Sequence, residues 1–185
     1  MFIIRNILEF IALFVIWATL QWCVRQSLLT PFWLTNLILA IAWAKTAFFG
    51  GENLQQLWKA SAENMAYHRF MMLMLVNMSQ IILSFGLDYH CLYCVDHGSF
   101  SSIQPLMNTP ELVFEFFYFS VLNFTFFGYG DVTPRTVSAK LLTMTEVILA
   151  FVTVIFLLSD FISLKESIST KHNSPNNPSK RPEGA

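Results

Sequence analysis

Thr125-Phe126-Phe127-Gly128-Tyr129-Gly130-Asp131 lies between a short aromatic stretch and a long apolar one with few charges. The glycines on either side of Tyr129 relieve the backbone of most side-chain demands, so the main chemical asset of this segment is its row of peptide oxygens. A ring of such oxygens is one way to replace the water shell of a dehydrated potassium ion. Whether the rest of the chain builds surroundings suited to such a ring decides the fold.

Composition places those surroundings in a bilayer. Hydrophobic residues make up 55% of the 185 positions and charged residues only 12%, which is more apolar surface than a soluble domain of this size can bury. The net charge of −1 and the scattered basic residues give no reason to expect a nucleic-acid partner. Three cysteines, Cys23, Cys91 and Cys94, are too few for a disulfide framework.

A helix needs about 20 mostly apolar residues to cross the hydrocarbon core. Charge-poor runs predict four such helices, over Phe2 to Val24, Pro31 to Phe49, Phe70 to Leu87 and Val137 to Ser163. In the first, Arg5 and Glu9 are one turn apart and are expected to pair near the membrane surface. The second opens at Pro31 and is expected to close at Gly50-Gly51. Pro110 to Phe126 is apolar but too short to span and also deliver the turn at Gly128, so it is read as re-entrant. Irregular backbone at membrane depth is tolerated only where protein or a water-filled cavity surrounds it.

The expected organisation is therefore an all-α membrane protein in four parts: two N-terminal transmembrane helices over 1–49, a linker over 50–68, a pore module over 69–163 and a tail over 164–185. The linker, with Leu54, Leu57 and Trp58, suits either a short interfacial helix or a solvated connection. The tail lacks the apolar content to offset its ordering entropy and is expected to be disordered. With the glycine-rich turn facing outward, eight basic residues fall inside (Arg5, Lys45, Lys59, Arg69, Lys165, Lys171, Lys180, Arg181) against three outside (Arg25, Arg135, Lys140). That bias puts both termini in the cytoplasm. The first segment lacks the basic start and small-residue cleavage site of a signal peptide.

Tyr118 to Asp131, with Val132-Thr133-Pro134 after it, resembles without a gap the pore loop of the tetrameric potassium channels. Leu141 to Ser159 resembles their inner helix, including a glutamate, Glu146, early in it. The likeness covers about Phe70 to Phe161 and does not extend to the first two helices, which also lack the regularly spaced arginines of a voltage sensor.

This resemblance implies a homotetramer in a cell membrane that conducts potassium passively and needs no cofactor. Carbonyls of Phe126, Phe127, Gly128 and Tyr129 would line the axis, Gly128 and Gly130 would supply unusual backbone angles, and potassium would bind at the filter oxygens. The Tyr129 ring and Glu146 would brace the filter, and Asp131 would concentrate cations at the outer mouth. Two positions depart from the usual Thr-Val-Gly-Tyr-Gly. Phe126 removes the threonine hydroxyl of the innermost ion site, and four such rings could form an apolar constriction. Phe127 replaces a valine, and its volume would have to be accommodated by Phe119 or Leu122. The alternative is that both rings pack behind the filter.

His90, Cys91, Cys94 and His97 form the other cluster, expected in an external loop. A disulfide is the plainest outcome there, and the spacing also offers a tetrahedral zinc site. Two other functions fit parts of the sequence. A membrane thiol-quinone oxidoreductase would use Cys91 and Cys94 but lacks a second cysteine pair, and a non-conducting channel relative would act as a membrane regulator. The sequence identifies no regulatory partner.

Overall fold

Helix α1 (Phe2–Arg25), α2 (Pro31–Glu63), α3 (Tyr67–Val95), α4 (Thr109–Phe124) and α5 (Val137–His172) account for nearly all of the computed structural model. It describes residues 2–26, 29–63, 67–101, 103, 108–128 and 130–172. Four of these helices, all but α4, are long and apolar enough to cross a membrane. A two-stranded antiparallel ribbon pairs β1 (Phe100–Ser101) with β2 (Thr133–Pro134), Phe100 opposite Pro134 and Ser101 opposite Thr133. It ties the segment that leaves α3 to the segment that follows the glycine-rich turn.

Helix ends are where the structure departs most from expectation. Gly50 and Gly51 do not end α2, which runs on to Glu63 and absorbs most of the expected linker. A helical glycine costs about 1 kcal/mol, and packing outweighs that cost here. Phe49 is buried, and a side chain added at Gly50 would meet Leu149 Cδ1 of α5 at 3.9 Å. Helix α3 continues past Leu87 to Val95, which places His90, Cys91 and Cys94 in a helix instead of an external loop. Helix α5 continues beyond Ser163 to His172, and the rest of the expected tail lies outside the described residues.

Helix α3 is the hub, packing against every other helix. Its aromatic side, Phe85 and Tyr89, meets Phe116 and Phe119 of α4, Phe100 of β1 and Leu142 of α5 in one buried cluster. The two helices come close at Gly86, where an added Cβ would lie 3.1 Å from the Phe117 Cα. A side chain there would require the α4 backbone to give by a few tenths of an ångström. Helix α4 starts on a capping box, with Glu111 N–H donating to Asn108 Oδ1 at 3.1 Å and the Glu111 carboxylate accepting from the Asn108 N–H. Asn-Thr-Pro-Glu is thus a complete helix-start signal.

Polar side chains hold α1 and α2 onto this hub. Arg5 pairs with Glu9 at 3.3 Å, as expected from their spacing, and also reaches Glu52 of α2 at 2.6 Å. Near the other end of α1, Gln21 Nε2 lies 3.0 Å from His90 Nδ1, and the Trp17 indole N–H donates to the same nitrogen at 3.4 Å. Between them Lys45 donates to Asp88 Oδ1 at 2.6 Å, with both side chains largely shielded. Lys45 lies within the candidate span Pro31–Gln55.

Removing one partner of a shielded ion pair strands the other charge, whereas replacing both does not. Lys45→Ala and Asp88→Ala should each lower the detergent-solubilised protein's stability by about 3 kcal/mol, and the double replacement Lys45→Met with Asp88→Leu should restore most of it. Thermal unfolding of the three variants checks this; equal losses in all three would contradict it.

Candidate functional site

The glycine-rich turn follows directly from the end of α4. Helix geometry gives way there because successive amides fold back onto the last carbonyls of the helix. The Thr125 N–H donates to the Val121 carbonyl at 3.0 Å, Phe126 to Asn123 at 3.2 Å, and Phe127 and Gly128 both to Leu122 at 3.0 and 3.4 Å. These bonds satisfy helix-end acceptors that would otherwise be orphaned. Among the described residues, no group donates a hydrogen bond to the carbonyls of Phe126, Phe127 or Gly128. The donors of the turn are used, and its oxygens stay available.

Two consecutive kinks shape the strand. Phe126 has φ +60° and Gly128 φ +62°. The left-handed region suits glycine, but a phenylalanine there is strained, by about 1–3 kcal/mol. At Gly130 an added Cβ would approach Leu122 Cδ1 to 3.0 Å, so the strand runs close to the α4 side chains. Tyr129, expected to line the axis and brace the filter, lies outside the described residues. Asp131 is exposed, and Val132 after it is buried.

Neither phenylalanine packs behind the strand within one subunit. Phe127 is 73% exposed and Phe126 47% exposed, with the Phe126 ring edge-on to Phe151 of α5 at 6.4 Å between centroids. Phe119, expected to make room for Phe127, instead faces α3, its ring 5.0 Å from Tyr89 and 5.9 Å from Phe100. The resemblance marked the positions, while the aromatic cluster on α3 decided where Phe119 points.

Behind the turn, Glu146 of α5 is fully buried and joins three helices. Tyr89 of α3 donates its hydroxyl to Glu146 Oε2 at 2.5 Å, Asn123 of α4 donates to the same oxygen at 3.3 Å, and Ser120 of α4 contacts Oε1. The Ser120 hydroxyl also reaches the Ile82 carbonyl of α3 at 2.8 Å. Asn123 accepts the Phe126 N–H through its own carbonyl, so one residue touches both the carboxylate and the strand. Tyr89, Ser120 and Asn123 were missed from sequence; the available signal was a run of polar residues in otherwise apolar helices.

The cysteine and histidine cluster comes apart. Cys91 and Cys94 are free thiols one turn apart on α3, and Cys91 is buried against α1 and α2. His90 turns toward Trp17 and Gln21, with Cys94 Sγ 3.8 Å from its Nε2, while the His97 ring stacks near Tyr93 at 4.9 Å. Among the described residues, no group of three or more histidine, cysteine, aspartate or glutamate side chains is placed to hold a metal ion.

Comparison with known proteins defines the class. Residues 88–166 match the family described as Ion channel. Over 83 residues, 45% of this chain and 26% of the relative, the sequence is 33% identical to Two-pore potassium channel 4 of Arabidopsis thaliana. The chain thus spans about a quarter of that relative's length. No solved structure gives a significant match. Through this segment, which contains the glycine-rich turn, α4 and most of α5, the chain is similar to ion channels, a potassium channel among them. The matched segment sits in a chain with four helices long and apolar enough to cross a membrane, which supports a multi-pass membrane protein.

Glu146→Ala would leave the Tyr89 hydroxyl and the Asn123 amide unsatisfied in the core. It should cost about 3 kcal/mol of stability, while Glu146→Gln, which keeps one acceptor, should cost less. Thermal unfolding in detergent measures both; an alanine variant as stable as the parent would mean that the carboxylate does not hold the three helices.

Proposed function

We propose that the chain is one subunit of a potassium-type cation channel, four copies of which meet around an axis lined by the carbonyls of Phe126, Phe127, Gly128 and Tyr129. The observation that carries this reading is the state of the turn: its amides are engaged by α4 while the oxygens of Phe126, Phe127 and Gly128 accept nothing among the described residues. In this reading α4 is the re-entrant pore helix, α5 the inner helix, and Asp131 the outer-mouth charge that concentrates cations. Support for an assembly comes from α5, whose Leu141, Met144, Ile148, Phe151, Ile155 and Leu158 form an exposed apolar stripe at helical spacing. Both termini lie on the cytoplasmic side of a cell membrane in this arrangement.

A second reading is favoured by the two exposed phenylalanines. Four Phe126 rings around the axis, each held on its own Phe151, would make a narrow apolar ring below the filter, and such a ring closes by losing water. The protein would then conduct weakly or act as a non-conducting partner of other membrane proteins.

Reversal potentials of the reconstituted protein in mixed potassium and sodium separate these readings. A reversal potential near that of potassium supports the selective channel, one near zero a non-selective pore, and no current the non-conducting relative. Phe126→Thr restores a hydroxyl and removes the ring. It should raise potassium flux by about threefold or more, which needs a barrier lower by only about 0.7 kcal/mol. Unchanged flux would show that the ring does not restrict the path.

A further inference from the structure

Helix α2 lies outside the segment that matches the ion-channel family, yet it packs along α5, the helix read as lining the pore. Two of its contacts fall on one turn of α5, Leu149 near Gly50 and Thr153 at Asn53. Thr153 Oγ1 accepts a hydrogen bond from Asn53 Nδ2 of α2 at 2.9 Å and donates its own proton to the Leu149 carbonyl at 2.8 Å. Asn53 Oδ1 in turn accepts from Asn77 Nδ2 of α3. All three side chains are buried. The donors run in one direction, from α3 through α2 into the backbone of α5.

The opposite side of the same turn meets the filter. Phe151 belongs to the exposed stripe of α5, and its ring is the one that carries Phe126. Thr153 and Phe151 are two residues apart and face opposite ways, one buried against α2 and the other exposed. A threonine hydroxyl bonded to the carbonyl four residues back bends a helix slightly, and here that hydroxyl is held in place by Asn53. Release of Asn53 frees the hydroxyl and the local bend, and any displacement of the turn reaches the strained Phe126 through Phe151.

We infer that the Asn77–Asn53–Thr153 relay makes α2 a regulator of conduction, setting the pose of Phe126 through a single turn of α5. This rests on the reading of the chain as a channel subunit. It gives α2 a task in the channel and locates that task in three side chains.

The test is a mutant cycle on the full chain in planar bilayers with symmetrical potassium. Thr153→Val removes the hydroxyl at nearly constant shape, Thr153→Ser keeps it, and Phe151→Leu removes the ring but keeps an apolar side chain. Thr153→Val should change open probability by about threefold or more at unchanged single-channel current, and Thr153→Ser should match the parent. In the Phe151→Leu background the effect of Thr153→Val should vanish. Asn77→Ala, which breaks the relay without touching α5, should reproduce Thr153→Val and is read in its place if that variant fails to fold. An open probability equal to the parent's, or the same change in both backgrounds, overturns the inference and leaves the relay as packing alone. A parent protein that carries no current overturns the channel reading itself, and the inference with it.

Discussion

The carboxylate of Glu146 fixes the arrangement on which the rest of the pore module depends. It accepts from α3 and α4 while belonging to α5, so it sets the mutual position of the three helices around the turn. In lipid, apolar side chains gain little by leaving hydrocarbon for one another, and association relies on close packing and on polar bonds between helices. A buried carboxylate with partners on two other helices is therefore a strong positional constraint, because one oxygen serves Tyr89 of α3 and Asn123 of α4 together. The strand inherits that constraint because the Asn123 carbonyl also accepts the Phe126 amide.

The same logic extends to the N-terminal helices, which are joined to the pore module by polar contacts spread along their length. Arg5 with Glu9 and Glu52, the Asn53 relay, Lys45 with Asp88, and Gln21 with His90 each connect different helices. Gln80 of α3 adds a bond to Glu9 of α1 at 3.0 Å, and Trp17 of α1 another to His90 at 3.4 Å. Together the polar points set register and rotation, and so choose which face of α5 is gripped by α2 and which face is left open.

Local signals made some of this legible and long-range ones hid the remainder. The Gly-Tyr-Gly-Asp stretch, the four apolar runs and the Arg5–Glu9 pair could be read because each depends on residues close in sequence. Helix ends at Gly50 and Leu87 were misread because tertiary packing, on Leu149 for α2 and on α1 and α4 for the end of α3, overrides weak local breakers. Nothing within α2 announces the partner of Lys45, Asp88, 43 residues away. Placing His90, Cys91 and Cys94 in a loop made them look like one site. On a helix, their side chains are shared out among different neighbours.

These constraints meet at Phe126. A phenylalanine with a left-handed backbone is unfavourable by itself, so the conformation must be held by its surroundings. Two such holds are visible: the amide is fixed by Asn123, which Glu146 fixes in turn, and the ring rests on Phe151. The first hold is buried and rigid, whereas the second is an edge contact between two exposed rings. The weaker hold is the one that can change without unfolding the helices, and it lies on the turn of α5 that α2 grips from behind. Strain at Phe126 is thus balanced against the weaker of the two contacts that hold it.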